Sequence, residues 1–230
     1  MGNAVITGGT QGIGRAMAEV LLKNGFSIAI CARNKQDLEL INKEWSNAYP
    51  ESTIITYQAD ISKKEEVLSF AQHCIDIFST IDILVNNAGQ FIPGNISDEP
   101  EGRLESLMDV NLYSAYHLTR ALLPQIKKHI FNICSVASLK AYPNGGAYSI
   151  TKYALLGFSE NLREELKNEG IKVTSVCPGA TNSRSWEGNE IDPERIMNAK
   201  DVADMMWAAY NLSAKADVEL LVLRPQLGDL

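Results

Sequence analysis

Short apolar runs alternate with helix-period stretches along nearly the whole of this 230-residue chain. The first run, Asn3 to Thr7, ends in Gly8-Gly9; behind it Ile13, Ala16, Met17, Val20 and Leu21 recur at helical spacing as far as Asn24-Gly25. Ser27 to Cys31 reads as a second strand and Gln36 to Ala48 as a helix. Thr53 to Gln58, β-branched and aromatic, reads as a third strand, and a helix from Lys64 to Phe78 leads to a fourth at Ile83 to Asn86. A long helix from Leu104 to Leu123, stopped near Pro124, precedes a strand at Ile130 to Cys134. A helix from Ala147 to Asn168, a strand from Ile171 to Cys177, a helix from Ala199 to Leu212 and a strand from Val218 to Leu223 complete the series. Parallel strands need a crossover, usually a helix, so the alternation predicts one doubly wound α/β domain over residues 1–230. Its sheet is expected to be seven-stranded and mostly parallel, with helices on both faces. No linker, low-complexity tract or internal repeat interrupts the pattern.

In such a sheet, ligands sit beyond the carboxyl ends of the strands, near the switch in strand order. The residues there are Gly8 to Gly14, Ala32-Arg33, Asp60, Asn87-Ala88-Gly89, Ser135 and Pro178-Gly179. Gly8, Thr10, Gln11, Gly12, Ile13 and Gly14 join a strand to a helix in the spacing G-x-x-x-G-x-G. Glycines permit a tight turn and close backbone approach, and the helix N-terminus offers N–H groups to a pyrophosphate. A phosphate-binding loop of the G-K-[ST] kind is excluded, because that triplet is absent. Roughly 20 residues beyond the glycines an NAD binder carries Asp or Glu for the ribose hydroxyls. Here stand Ala32-Arg33-Asn34, and a forked cation suits a 2′-phosphate, so NADP(H) is expected over NAD(H).

Tyr148-x-x-x-Lys152 lies near the start of a helix, where i, i+4 spacing puts both side chains on one face. An ammonium beside a phenol favours the phenolate, so the tyrosine is expected to ionise more readily than usual and to exchange a proton with a carbonyl or alcohol oxygen. Ser135, thirteen residues earlier, puts a hydroxyl within reach of the same oxygen. A serine hydrolase is the competing chemistry, but there is no G-x-S-x-G, and His73, His117 and His129 fall in helices or ahead of a strand.

With Thr7-Gly8-x-x-x-Gly12-x-Gly14, Asp60, Asn86-Asn87-Ala88-Gly89, Asn111, Ser135, Tyr148-x-x-x-Lys152 and Pro178-Gly179 in this order, the chain resembles the short-chain dehydrogenase/reductase family over almost its full length. Within it, the NADP-dependent 3-oxoacyl-[acyl-carrier-protein] reductases and sepiapterin reductases are the nearest likeness. The resemblance implies a Rossmann-type fold and hydride transfer between nicotinamide and a carbonyl or secondary alcohol. It implies that Tyr148 is the general acid/base, that Lys152 lowers its pKa and holds the nicotinamide ribose, and that Ser135 polarises the carbonyl. Asn111 would help seat a water linking Lys152 to solvent. Asp60 and Ile61 would contact adenine, Asn87, Ala88 and Gly89 would pack by the adenosine, and Pro178, Gly179, Ala180 and Thr181 would line the nicotinamide. Three positions depart from the pattern. Gln11 replaces a basic residue, Cys134 stands where a second serine is common, and Ser183 takes a place often held by Thr. The resemblance also implies dimers or tetramers built on the two long helices. A non-catalytic dinucleotide sensor of the same fold is the alternative, opposed by the intact Asn111, Ser135, Tyr148 and Lys152 set.

Composition narrows the partners. The 28 acidic against 21 basic residues leave a net charge of −7, which disfavours nucleic acid. No apolar run approaches the ~18 residues of a membrane span, and no basic-then-apolar leader opens the chain, so a cytoplasmic protein acting on a small molecule is expected. Cys31, Cys74, Cys134 and Cys177 lack metal-ligand spacing and read as small buried hydrophobes. The substrate is expected to meet Gln90 to Pro93, Leu139 to Asn144 and Asn182 to Met197, the last containing Trp186, Glu187, Glu190, Asp192 and Arg195.

Overall fold

The computed structural model describes residues 2–183 and 192–229. Seven strands, β1 (Asn3–Thr7), β2 (Ser27–Ala32), β3 (Ile54–Gln58), β4 (Ile81–Asn86), β5 (Ile126–Ile133), β6 (Lys172–Pro178) and β7 (Leu220–Leu223), form one sheet in the order β3-β2-β1-β4-β5-β6-β7. Every pairing is parallel, so the expectation of a mostly parallel sheet is corrected to a wholly parallel one. The reason is that each crossover carries a helix, and none is the tight turn an antiparallel pair needs. The chain winds outward from β1 in one direction, then returns to the other side at β4. That reversal opens a crevice at the carboxyl ends of β1 and β4.

The helices are α1 (Gly12–Lys23), α2 (Lys35–Ala48), α3 (Lys64–Ile77), α4 (Arg103–Met108), α5 (Ser114–Leu122), α6 (Gly146–Leu166) and α7 (Ala199–Tyr210). They cover both faces, which is why the inner strands are largely apolar and buried on both sides. On one face Met17 and Leu21 of α1, Trp45 of α2 and Met206 of α7 pack on Ile6, Ile28 and Phe131. On the other, Phe70 of α3, Leu118 of α5 and Leu162 of α6 pack on Val5, Leu84 and Ile130. Each such side chain contributes about 1.5–3 kcal/mol by leaving water. No helix of the described residues is long and apolar enough to cross a membrane.

Two elements differ from expectation for local reasons. The helix expected over 104–123 is broken by a π-helical turn, Asp109–Tyr113, between α4 and α5, and it ends in a 3-10 turn at Leu123–Gln125 containing Pro124. Strand β5 begins at Ile126, four residues early, because Lys127 and Lys128 stay exposed although they lie in the strand.

His129 lies buried in β5, stacked on Phe131 with ring centroids 3.9 Å apart, and its Nε2 is 2.8 Å from Thr174 Oγ1. The Thr174 hydroxyl donates to the Val218 carbonyl at 2.6 Å, so it accepts from His129, which places the proton on Nε2. Nδ1 has no partner among the described residues, and burial pulls the imidazole pKa down to about 3. The neutral ring therefore favours the fold fully above the unfolded value near 6.5, and that contribution is lost as pH falls from there toward 3. At roughly 1.4 kcal/mol per unit, acidification from pH 7 to pH 4.5 should cost on the order of 2–3 kcal/mol through this residue. Urea unfolding of the native chain and of His129→Gln checks it: the variant should lose distinctly less over that interval, and identical losses refute it.

Candidate active site

The crevice is lined first by the glycine turn. Gly8 has φ +65°, and its N–H donates to the Cys31 carbonyl at 2.9 Å. Asn87, at the end of β4, donates from Nδ2 to the Thr7 and Gly8 carbonyls at 2.9 and 3.1 Å. The Thr7 hydroxyl oxygen accepts in return from the Asn87 and Ala88 N–H groups at 3.0 and 2.9 Å. The turn is thus braced from the next strand, with Asn87 acting as a strut. A Cβ on Gly14 would lie 2.4 Å from both Gly8 O and Asn87 Nδ2, so only glycine fits there. No side chain caps α1, whose first amides remain available to an anion, and the buried Gln11 Oε1 has no partner among the described residues. These features fit a dinucleotide pyrophosphate.

From the turn a cavity of about 940 Å³ runs across the strand ends. Thr10, Gln11, Gly12, Ile13, Arg33, Asn34, Asp60, Ile61, Asn87, Ala88 and Gly89 line one part of it, while Ser135, Tyr148, Lys152, Pro178, Gly179, Ala180, Thr181 and Ser183 line another. The sequence-derived positions therefore converge on one space. Asn34 departs in part from its expected role, since its Oδ1 caps α2 by accepting from Gln36 N at 2.9 Å and Asp37 N at 3.3 Å. Burial works against ionising Asp60, but hydrogen bonds from the Ser62 hydroxyl and amide, with the Arg33 charge, outweigh it and hold the carboxyl below its usual range.

Ser135 caps a short 3-10 turn, its Oγ accepting from Ala137 N at 3.1 Å. Tyr148 stands in the first turn of α6 and lines the cavity together with Ser135, whose hydroxyl lies close enough to favour ionisation of the phenol. Lys152, one turn on, is buried and donates to the Ile133 carbonyl at 2.8 Å. Asn111 lies in the π-helical turn, a distortion common where a helix serves a site. It donates from Nδ2 to Gln90 O at 3.0 Å and Thr151 Oγ1 at 2.9 Å and accepts from Gln90 N at 2.7 Å. Both amide hydrogens are used, so the side chain clamps the segment after β4.

The expected ease of ionising Tyr148 is not met in this state of the protein. Burial of its hydroxyl pushes the pKa well above the usual value, and the neighbouring Ser135 hydroxyl offsets this only in part. The Lys152 nitrogen is 5.8 Å from the ring centroid and turned to a backbone carbonyl, and burial lowers its own pKa. Cys134 packs as expected, against Cys177 and Leu155 of α6, and all four cysteines are free and buried. No metal-binding cluster occurs among the described residues.

The model of the short chain dehydrogenase family matches residues 2–193. The chain belongs to this family. This short chain dehydrogenase is 31% identical to an uncharacterized oxidoreductase of Staphylococcus epidermidis over 226 residues, 96% of each chain. Its fold matches an alcohol dehydrogenase from Thermococcus sibiricus complexed with 5-hydroxy-NADP at a TM-score of 0.91 and 26% identity, covering 98% and 97% of the two chains. It also matches L-sorbose reductase from Gluconobacter frateurii, complexed with NADPH and L-sorbose, at 0.89 and 23% identity, covering 97% and 95%. None of these three bears a 3-oxoacyl or sepiapterin reductase name.

Phe91 and Tyr142, both within the segments expected to meet substrate, line the cavity of this short chain dehydrogenase, and Phe91 packs edge-on to Tyr148 with ring centroids 4.8 Å apart at 78°. Two residues escape the sequence reading. Arg224 and Asp229, paired with each other just after β7, also line the cavity. The rule of inspecting strand ends would have found Arg224 had it been carried to the last strand. The Asn182 to Met197 segment closes on itself, with Asn182 N donating to Met197 O and Met197 N to Ala180 O, each at 2.9 Å. Trp186, Glu187 and Glu190 lie outside the described residues, while Asp192 and Arg195 belong to a short turn before α7.

Proposed function

We propose that this chain is a single-domain NADP(H)-dependent oxidoreductase acting between a carbonyl and a secondary alcohol, with Tyr148 as general acid/base. The observation that carries this reading is the Ser135–Tyr148 hydroxyl pair in the same cavity as the uncapped start of α1. When bound, the nicotinamide would give or take the hydride. The α1 amides and the glycine turn would hold the pyrophosphate, and Gly179 to Thr181 the carboxamide end. Tyr148 would exchange the proton with the substrate oxygen while the Ser135 hydroxyl keeps that oxygen in place. Lys152, buried beside Gly89 and able to turn from the Ile133 carbonyl, would hold the ribose and favour the tyrosinate.

Arg33 supports NADP(H): it is exposed at the cavity wall just past β2, where a 2′-phosphate would lie. Arg15, the other cation near the turn, is engaged by Glu19 at 2.8 Å and Glu44 at 2.7 Å. Fluorescence titration with NADPH and NADH tests the choice. The native chain should bind NADPH at least about tenfold more tightly, and Arg33→Asp should erase the difference. Equal or tighter binding of NADH by the native chain overturns it. Exposed Tyr113 and Tyr116 in the α4–α5 stretch, with Ile150 and Tyr153 on α6, support an assembly of two or four copies that would cover them.

A further inference from the structure

We propose that Glu99 is a positioning residue for the reaction, fixing the first turn of α6 and thereby the hydroxyl of Tyr148. This rests on Tyr148 being the proton donor. The first amides of a helix have no partner within it. The Ala147 amide, one residue before Tyr148, donates instead to both oxygens of Glu99, at 3.0 and 3.2 Å, across 48 residues of chain. The carboxylate is enclosed by two glycines. A Cβ on Gly94 would lie 2.8 Å from Glu99 Oε1, and one on Gly146 would lie 2.4 Å from it. Gly146 also needs φ +37° to present the α6 amides to Glu99.

The contact closes a ring around the substrate end of the cavity. Gln90, Phe91 and Pro93 line one wall, and Tyr142, Pro143 and Asn144 the other. Gly94 N donates to Asn144 O at 3.0 Å, joining the walls, and Gly145 N donates to Tyr142 O at 3.1 Å, holding the second. Glu99 N donates to Asn95 O at 3.0 Å, so the carboxylate is carried by a turn of its own. Glu99 ties this whole assembly to the helix that bears Tyr148.

Glu99 acts in two separable ways. As an acceptor it fixes where α6 begins, and a small displacement of a catalytic group costs rate steeply. As an anion it offsets the positive N-terminal end of a 21-residue helix, which would otherwise favour ionisation of Tyr148. Glutamine keeps an acceptor and removes the charge, whereas alanine removes both.

Four measurements on the full chain separate the roles: kcat for a carbonyl with NADPH, NADPH binding, amide hydrogen exchange across Ala147 to Lys152, and the pH profile of alcohol oxidation. Glu99→Ala should lower kcat about tenfold or more, leave NADPH binding within about twofold and speed exchange at Ala147. Glu99→Gln should restore most of kcat, and both variants should move the rising limb of alcohol oxidation to lower pH. Wild-type kcat in Glu99→Ala, unchanged exchange at Ala147, or a kcat loss matched by an equal loss of NADPH binding overturns the proposal. If the native chain turns nothing over while Glu99→Ala still speeds exchange, the clamp stands and the role of Tyr148 fails.

Discussion

Tyr148→Phe is expected to reduce carbonyl turnover about a thousandfold, since a placed acid/base contributes typically 10²–10⁴. Only the phenolic oxygen is removed, so the ring still packs edge-on against Phe91 and α6 keeps its start at the Glu99 carboxylate. The Ser135 hydroxyl keeps its bond from Ala137 N, so the fold should lose no more than about 1 kcal/mol, too little to unfold a chain of this size. NADPH binding should hold within about threefold, because the amides that would carry the phosphates belong to α1. NADPH consumption with a panel of ketones, beside a fluorescence titration, measures both. Turnover within tenfold of native would remove Tyr148 from the mechanism, while joint loss of turnover and binding would give it a structural role.

Gly14→Ala is expected to weaken dinucleotide binding about a hundredfold and to destabilise the chain by about 1–3 kcal/mol or more. The added methyl would meet Gly8 O and Asn87 Nδ2, each at 2.4 Å, and neither can move aside. Gly8 is set by its bond to Cys31, and Asn87 by its two bonds to the turn. Relief therefore displaces the turn that would cradle the pyrophosphate. Gly157→Ala is the control, since a Cβ there meets nothing within 4 Å in the body of α6. That change should be neutral or stabilising by up to about 1 kcal/mol. Native-like NADPH binding in Gly14→Ala would move the dinucleotide elsewhere.

The order of elements and the location of the site are legible in the sequence because both follow from local periodicity. Apolar runs mark buried parallel strands, and the residues after them must lie at one edge of the sheet. Glu99, by contrast, sits in a polar turn with no periodic signal and acquires meaning only through Ala147, 48 residues away. The break at Asp109–Tyr113 contains no Gly or Pro to mark it in the sequence, and Asn111 acquires its role only through its contacts with Gln90. The start of β5 is hidden by Lys127 and Lys128, two exposed charges in succession that interrupt the apolar run. For Tyr148 the sequence places Lys152 one turn away but not its orientation, and in the fold burial outweighs a cation that faces the Ile133 carbonyl.

The strut from Asn87 to the glycine turn spans 80 residues, and Tyr148 lies a further sixty or so beyond it. Contacts of such long sequence separation form late and slowly. A dinucleotide lying across this boundary would bind the finished fold and not its open forms. At a hundred times its dissociation constant such a ligand adds about 2.7 kcal/mol to stability, a large share of what a domain has. In a cell that continually clears opened chains, the supply of the dinucleotide would then govern how much of this protein survives, linking the enzyme's abundance to the redox pool it draws on.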